Sequence, residues 1–328
     1  MSALLEVTDL GVEFQTRSGV ARVLEGVSFS LERGRTLGLV GESGCGKSIT
    51  ALALMRLVPQ PPGRITSGRV VLGDRELMGL PEKAMRSIRG DRMSMIFQEP
   101  MTSLNPAFTV GDQIAESLRL HQGLSRRAAL ARAAEMLDAV GIPSAASRVH
   151  EYPHQFSGGM RQRVMIAMAL ACRPDVLIAD EPTTALDVTV QAQIFDLIAD
   201  LREKTGTAVI LITHDMGAIA EMADRVAVMY AGRIVEEGAV DEVLSAPLHP
   251  YTQGLIACAP GRRATAPGEA LREIPGTVPS LLERRGGCAF APRCAQAMPR
   301  CSESLPAETR LDDGRRVLCW LHAQEGQA

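Results

Sequence analysis

The sequence predicts an α/β protein built around an open parallel sheet. Short apolar runs at 36–40, 176–179 and 208–213 each stop at glycines or at charged residues, which is typical of buried parallel strands. Aromatic residues make up only 3% of the 328 positions, so we expect a core of aliphatic side chains, as in layered α/β proteins. Because polar residues follow the strands, we expect the chemistry at the carboxyl ends of the sheet.

The composition excludes several classes of protein. With 46% hydrophobic and 22% charged positions, the chain is neither disordered, nor collagen, nor a disulfide-rich miniprotein. The 35 Lys and Arg against 38 Asp and Glu give a net charge of −3, which argues against a nucleic-acid binder that works by neutralising phosphates. The longest apolar run, 164–172, is far shorter than the roughly 20 residues of a membrane span. The acidic segment 1–14 does not resemble a secretory signal, so we expect a cytoplasmic chain.

The first elements are predicted from turns and apolar runs. Segments 5–14 and 23–31 have strand character and are divided by the turn-rich residues 16–19, which indicates an antiparallel hairpin. The strand at 36–40 leads through a glycine-rich loop into good helix formers at 48–57. The order strand, loop, helix is therefore expected over 36–57.

The middle of the chain predicts helices, and the end predicts a different unit. Residues 111–140 carry apolar residues at helical spacing, with charged residues on the other face. After residue 245 Pro and Gly become frequent and four of the seven cysteines appear. We therefore expect a main domain over 1–245 and a small Cys-rich extension over 246–328. The helical apolar positions are Ile114, Leu118, Ala129, Ala133, Leu137 and Val140.

Residues 41–48, GESGCGKS, fit the phosphate-binding pattern GxxxxGK[ST] at every fixed position, between a strand and a helix. Glycines let backbone N–H groups surround phosphate oxygens, and the helix start adds its positive end. Lys47 would reach the β and γ phosphates, and the Ser48 hydroxyl would bind Mg²⁺. The alternative is a glycine-rich turn with a solvated lysine. The predicted nucleotide-binding residues here are Gly41, Ser43, Gly44, Cys45, Gly46, Lys47, Ser48 and Ile49.

Two carboxylates follow the next buried strand. Asp180 would hold Mg²⁺, and Glu181 would polarise an attacking water molecule. The alternative is that the pair caps the helix that follows. A lone histidine is more often structural, but the position of His214 one strand beyond Glu181 favours a hydrogen bond to a γ-phosphate.

A second anion site is predicted at 157–162, SGGMRQ, before a helical run at 164–171. A serine and two glycines at a helix start offer backbone N–H groups to an anion. A chain with one phosphate loop does not need another for the same nucleotide. In isolation the segment could equally be a flexible helix cap.

Over roughly 1–245 these motifs together resemble the nucleotide-binding subunits of ABC transporters. The resemblance implies a P-loop NTPase with a RecA-like core, an antiparallel β subdomain and an inserted helical subdomain at about 99–165. It rests on GESGCGKS, similar to the Walker A loop; FSGGMRQR, similar to the signature motif; VLIADE, similar to the Walker B strand; residues 185–187, similar to the D-loop; residues 213–215, similar to the H-loop; and Gln98, similar to the Q-loop glutamine.

The resemblance assigns roles to these positions. Two cassettes of such proteins pair head to tail, so the signature loop of one caps the γ-phosphate held by the other. The residue assigned to the D-loop is Asp187. Gln98 would join the Mg²⁺ site to the helical subdomain, and Phe14 would stack on adenine unless it is a core strand residue. Met160 and Cys45 depart from the commonest motifs without removing a backbone donor. The residues expected to act in trans are Ser157, Gly158, Gly159 and Met160.

A narrower resemblance, to oligopeptide and dipeptide uptake subunits, comes from segments 98–106, 248–252 and 274–279. It implies an ATPase that powers peptide import through two membrane permeases, with a second, paralogous cassette and an extracytoplasmic binding protein. Such a subunit would lie at the cytoplasmic face of the inner membrane. Nickel, glutathione or sugar cargo is an alternative, as is a soluble ABC ATPase acting on nucleic acid or ribosomes. His249 and Tyr251 alone would indicate a packed linker.

The clustered cysteines have the pattern C-x5-C-x6-C-x17-C. Four thiolates can hold zinc or an iron–sulfur cluster, but this spacing lacks both the zinc knuckle and the ferredoxin run. Unmetallated buried thiols are a third alternative. The resemblance to dipeptide-transporter subunits with a similar tail implies a 4Fe–4S cluster, whereas cytoplasmic disulfides are not expected. The residues are Cys288, Cys294, Cys301 and Cys319.

Overall fold

The computed structural model describes residues 3–98, 103–183, 188–258, 273–282 and 286–323. These residues divide into two compact units. The first takes its residues from 1–4, 31–35 and 79–212, and the second from 5–30, 36–78 and 213–328. Among the helices of the described ranges, none has the length and apolar character needed to cross a membrane.

The described strands are β1 (Leu5–Thr16), β2 (Gly19–Leu31), β3 (Thr36–Val40), β4 (Gly63–Leu72), β5 (Arg75–Glu76), β6 (Met93–Ile96), β7 (Val176–Asp180), β8 (Ala208–Ile212), β9 (Arg225–Tyr230), β10 (Arg233–Ala239), β11 (Thr309–Arg310) and β12 (Arg316–Val317). The described helices are α1 (Lys47–Leu54), α2 (Glu82–Arg86), α3 (Val110–Gln122), α4 (Arg126–Ala139), α5 (Ala145–Arg148), α6 (Gly158–Leu170), α7 (Val188–Thr205), α8 (Met216–Met222), α9 (Val240–Ser245), α10 (Pro250–Ala257) and α11 (Pro299–Glu303), with 3-10 turns at Pro153–Gln155 and Ala291–Arg293.

In the first unit, β6, β7 and β8 form a parallel sheet with β7 in the middle. The register aligns Met93 with Val176, and Asp180 with Ile212. Every residue of these three strands is buried, which explains their continuous apolar sequence. The strand predictions at 176–179 and 208–213 are confirmed to within one residue.

The helices of the first unit confirm the predicted helical segment. Thr109 caps α3 by accepting the N–H of Asp112 at 3.1 Å, and Ser125 caps α4 by accepting the N–H of Ala128 at 3.3 Å. Gly123, with φ 66°, ends α3. The apolar positions at helical spacing, from Ile114 to Val140, are all buried. Their burial is the main source of stabilisation of these helices.

In the second unit, one sheet has the strand order β2, β1, β4, β5. Strand β1 pairs antiparallel with β4, with Leu5 opposite Leu72 and Phe14 opposite Gly63. The predicted hairpin is present, although its strands run closer to the turn than expected: β1 ends at Thr16 and β2 begins at Gly19. Gly19 has φ 131°, a backbone conformation that favours glycine.

The second unit also holds the strand order β11, β12, β10, β9, β3. Strands β3 and β9 are parallel, with Val40 opposite Val228. The tail returns to this sheet, because β12 pairs with β10 through Glu236 and Val317. The described residues after 245 therefore belong to the same compact unit as β3.

Two predicted helix limits were wrong. Helix α1 ends at Leu54 rather than near 57, because Arg56 adopts φ 51°, a left-handed conformation that stops a helix. Helix α6 begins at Gly158 rather than 164, because the Ser157 hydroxyl accepts the N–H of Met160 at 3.4 Å.

Candidate functional site

The phosphate loop of the second unit follows β3 and leads directly into α1. Gly41, Gly44 and Gly46 have φ values of 151°, 79° and 109°, which favour glycine. A Cβ added at Gly41 would lie 2.2 Å from the carbonyl oxygen of Met229, so a larger residue would displace backbone. Conformation thus favours glycine at all three positions, and space also requires it at Gly41.

Lys47, the first residue of α1, lies inside this loop and is only 7% exposed. Its Nζ donates to the carbonyl oxygens of Gly41 at 2.8 Å and Glu42 at 3.1 Å. Ser48 is the second residue of the helix. A buried ammonium group, a helix N-terminus and a glycine-rich backbone form a site suited to phosphate groups.

The acidic pair of the first unit lies at the end of β7. Asp180 is the buried last residue of the strand, and Glu181 follows at φ 47°. The Glu181 N–H donates to the carbonyl oxygen of Ile212 at 2.9 Å, which fixes this left-handed backbone. Such strained conformations cluster at functional sites.

Gln98 is brought to the same carboxylate. Its Nε2 donates to Oε2 of Glu181 at 2.9 Å, although the two residues are 83 positions apart. Parallel strands β6 and β7 end together, which explains the contact. This contact lies within the first unit, and the predicted role of Gln98 at the Mg²⁺ site stays a prediction.

The second anion site begins α6 in the first unit. Ser157 and Gly158 are exposed, and no atom lies within 4 Å of a Cβ placed on Gly158. Helix α6 has 13 residues, so its N-terminus carries the positive end of a full helix dipole. Gly159 and Met160 form the first turn, half-buried. The geometry leaves room for an anion that approaches from outside this unit.

The remaining predicted residues are His214, Phe14 and Asp187. His214 is exposed, directly before Asp215, which caps α8 by accepting the N–H of Gly217 at 2.7 Å. Phe14 is half-buried on β1 and lies close to Gly63, where an added Cβ would be 3.0 Å from Cε1 of Phe14. Asp187 lies outside the described residues.

Residues from beyond position 245 contact the phosphate loop, and the sequence reasoning missed them. Arg293 donates to both carboxylate oxygens of Glu42, at 2.6 and 2.9 Å. The hydroxyl of Tyr251 accepts the backbone N–H of Glu42 at 2.8 Å. The segment 248–252 was the signal that could have pointed here, because its tyrosine is the residue that reaches the loop.

His249 explains how that tyrosine is held. His249 is buried and caps α10, with Nδ1 accepting the N–H of Tyr251 at 3.0 Å. The N–H groups of Leu248 and His249 donate to the carboxylate of Glu236 at 2.8 and 2.9 Å. Burial lowers the pKa of His249 to about 3, with a smaller contribution from His322, so the ring is a neutral acceptor. For His249 the expectation of a packed linker is confirmed.

The four clustered cysteines line one small cavity, of about 20 Å³, in the second unit. Burial raises the pKa of Cys288 and raises that of Cys319 to about 11, and the neighbouring cysteines add to both shifts. Within the part of the chain that the structure describes, no group of three or more His, Cys, Asp or Glu is placed to hold a metal ion. The expected 4Fe–4S or zinc site is therefore not supported. The cavity is lined by Cys288, Cys294, Cys301 and Cys319 with His249 and Phe290.

Two family models match the chain. The ABC transporter model matches residues 24–184, and the model of the oligopeptide/dipeptide transporter C-terminal region matches residues 235–301. The ATP-binding cassette MJ0796, solved as a dimer bound to ADP and Pi, has a TM-score of 0.65 and 26% identity, covering 72% of this chain and 98% of its own. The structure of cbiO1 from Clostridium perfringens shares the fold, with a TM-score of 0.62, 24% identity, and coverage of 75% and 92%.

Curated relatives match over nearly the full length. A probable peptide ABC transporter ATP-binding protein, y4tR of Sinorhizobium fredii, is 52% identical over 97% of this chain and 94% of its own. The dipeptide transport ATP-binding protein DppD of Bacillus subtilis is 49% identical over 100% and 97%. The oligopeptide transport ATP-binding protein OppD of Bacillus subtilis is 51% identical over 98% and 89%. Since the likeness runs through the phosphate loop and the C-terminal region alike, this chain belongs to the ABC transporter family of ATP-binding proteins.

Proposed function

We propose that this chain is the ATP-hydrolysing subunit of an ABC importer that powers uptake of dipeptides or oligopeptides. The observation that carries the proposal is a complete phosphate loop in a chain that also contains the oligopeptide/dipeptide transporter C-terminal region, at 235–301. The names of the full-length relatives support the peptide cargo.

In this proposal the phosphate loop binds the phosphates of ATP. Lys47 neutralises the β and γ phosphates, and Ser48, Gln98 and Asp180 hold Mg²⁺. Mg²⁺ supplies charge neutralisation and a fixed geometry for the phosphoryl oxygens. Phe14 stacks on the adenine ring. The backbone donors are those of Gly41, Ser43, Gly44, Cys45, Gly46, Lys47, Ser48 and Ile49.

Glu181 would orient the attacking water and accept its proton. Its hydrogen bond from Gln98 supports this role, because the amide holds the carboxylate in one orientation at the end of β7. His214 would hydrogen-bond the γ-phosphate as negative charge develops there.

A second cassette, which we expect to be a paralogous chain, would complete the site. The exposed start of α6 supports binding in trans, since Ser157 and Gly158 are exposed and a Cβ on Gly158 would meet no atom within 4 Å. The trans residues are Ser157, Gly158, Gly159 and Met160, and Asp187 would contact the partner through the D-loop.

The proposed partners are two integral-membrane permeases and, indirectly, an extracytoplasmic binding protein. Coupling to permeases places the chain at the cytoplasmic face of the inner membrane. The domain limits stay predictions: a nucleotide-binding domain over 1–245 with a helical subdomain at about 99–165, and a C-terminal region over 246–328.

A 4Fe–4S cluster, or alternatively zinc, at the four cysteines is a separate proposal. It is supported by their lining of one cavity and by the N–H of Met298, which donates to Sγ of Cys301 at 3.4 Å. Iron, zinc and acid-labile sulfide in anaerobically purified protein would test it. Values near zero for all three would reject it.

The peptide-import proposal is tested by trapping the complex. Glu181→Gln protein is expressed in the native host, held with ATP, extracted gently with membranes, and its co-purifying proteins and ligands are identified by mass spectrometry. Lys47→Ala protein, which should not be trapped by ATP, is the matched control. We expect two permeases, a second cassette and a binding protein that carries peptides. A nickel complex or sugar in the binding protein would reject the cargo, and ribosomes or DNA without a permease would reject transport.

A further inference from the structure

The phosphate loop contains an acidic side chain that should oppose its function. Glu42 lies next to Gly41, and its side chain is only 27% exposed. A carboxylate beside the phosphates of ATP would repel them, more strongly where water is partly excluded. Binding of ATP therefore requires that the charge of Glu42 be compensated.

Arg293 provides that compensation from the C-terminal region. Its side chain is 4% exposed and makes a bidentate ion pair with Glu42, at 2.6 and 2.9 Å. It also donates to the carbonyl oxygens of Pro275 at 2.9 Å and Ile274 at 3.1 Å. These bonds satisfy the planar guanidinium in one orientation, which a lysine could not reproduce.

The aromatic residues around Arg293 fix it further. Its guanidinium lies 5.8 Å from the ring centre of Tyr230 and 5.9 Å from that of Phe290. The same two rings pack against Tyr251, at 4.6 and 5.4 Å between ring centres. Arg293 and Tyr251 therefore reach the loop from one packed cluster.

Tyr251 acts on the peptide group between Gly41 and Glu42. The N–H of this peptide donates to the Tyr251 hydroxyl at 2.8 Å, while its carbonyl oxygen accepts from Lys47 Nζ at 2.8 Å. In a trans peptide the two groups point in opposite directions, so the hydroxyl fixes the orientation of the carbonyl that positions the lysine.

We propose that Arg293 and Tyr251 are positioning residues for the phosphate loop, so that the C-terminal region sets the affinity for ATP. Arg293 removes the repulsion from Glu42, and Tyr251 orients the peptide that holds Lys47. This inference rests on the proposed function of the loop as the ATP site.

The test is equilibrium binding of Mg–ATP to the full chain and its variants. We expect Arg293→Met to weaken binding about tenfold, because loss of one partner leaves a partly buried carboxylate uncompensated. The double variant Arg293→Met with Glu42→Gln should recover affinity to within about threefold of wild type. Tyr251→Phe should weaken binding about threefold through loss of one hydrogen bond.

Arg315→Met is the matched control, because Arg315 pairs with Asp313 and the carbonyl oxygen of Ala246 within the same region. Its affinity should equal that of wild type. The inference is overturned if Arg293→Met binds like Arg315→Met, or if Glu42→Gln gives no recovery, which would indicate a general packing role. Lys47→Ala separates the two proposals. If it also binds like wild type, the loop is not the ATP site; if it alone is impaired, only the inference fails.

Discussion

Two glycine-rich segments precede helices in this chain, and they differ in what surrounds them. The phosphate loop at 41–48 is packed against other residues of the same chain. Lys47 is buried, Gly41 lies against backbone, and Tyr251 and Arg293 contact Glu42. The start of α6 at Gly158 has open space. A preorganised site loses little entropy on binding its ligand, whereas an exposed helix start suits a ligand held elsewhere.

The largest expected effect concerns hydrolysis. Glu181→Gln should retain ATP affinity but lose turnover, with a barrier increase on the order of 3 to 5 kcal/mol, because the amide cannot accept a proton from water. Phosphate release and nucleotide binding measure the two quantities. Glu203→Gln, an exposed glutamate on α7, is the control. Near-normal turnover of Glu181→Gln would remove this residue from its role.

The next largest effect concerns ATP binding by the phosphate loop. Lys47→Ala should weaken Mg–ATP binding by about 10- to 150-fold, the size of a charge-assisted hydrogen bond to phosphate. Lys204→Ala, an exposed lysine paired with Asp200, should bind as wild type. Equal affinities of the two variants in equilibrium titrations would contradict the phosphate-loop assignment.

At the exposed start of α6 we expect a substitution to change turnover rather than ATP affinity. Gly158→Asp places a negative charge at a helix start, which favours the helix but repels a phosphate held by a partner. We expect unchanged ATP affinity of the single chain and at least about tenfold lower turnover. Gly79→Asp is matched, because a Cβ there also meets no atom within 4 Å. If Gly158→Asp hydrolyses ATP normally, the contrast between the two segments is wrong.

Thiol reactivity tests the packing behind the phosphate loop. Cys258 is exposed, whereas burial raises the pKa of Cys288 and of Cys319. In metal-free protein, iodoacetamide should modify Cys258 on the order of tenfold faster, since the thiolate is the reactive form. Peptide mass spectrometry follows each site, and unfolded protein should show similar rates. Similar rates in the folded protein would indicate that the cavity is open.

The last expected effect is a pH dependence of stability, which does not involve the ATP site. Folding depresses the pKa of His249 from 6.5 to about 3. Below pH 6.5 the unfolded chain binds a proton that the folded chain does not, so the free energy of unfolding decreases by about 1.4 kcal/mol per pH unit as pH falls toward 3. Denaturant unfolding of wild type and of His249→Asn, which keeps a capping side chain, should diverge between pH 6.5 and 5. Parallel curves would contradict the burial of a neutral ring.

Local patterns predicted most of the fold. The apolar runs at 176–179 and 208–213 are strands, and the spacing of Ile114 and Leu118 marks a buried helical face, because both depend on residues near in sequence. Helix limits were less predictable. Arg56 ends α1 through a left-handed backbone conformation that arginine does not predict.

The metal prediction at the four cysteines stays a proposal, because it depends on more than their spacing in sequence. The four cysteines cluster in the sequence and line one cavity in the structure. The positions of their sulfur atoms, however, depend on the packing of the whole segment. Burial raises the pKa of Cys288 and of Cys319 in the protein without a bound metal.

The sequence by itself determined the phosphate loop, its strand and its helix, because GxxxxGK[ST] is a continuous motif whose glycines and lysine act within one turn of chain. Only the tertiary structure decided what supports that loop. Glu42 is 251 residues from Arg293 and 209 from Tyr251. Contacts between residues so far apart leave no periodic pattern or fixed spacing in the sequence, because they depend on the path of the entire chain between the two residues.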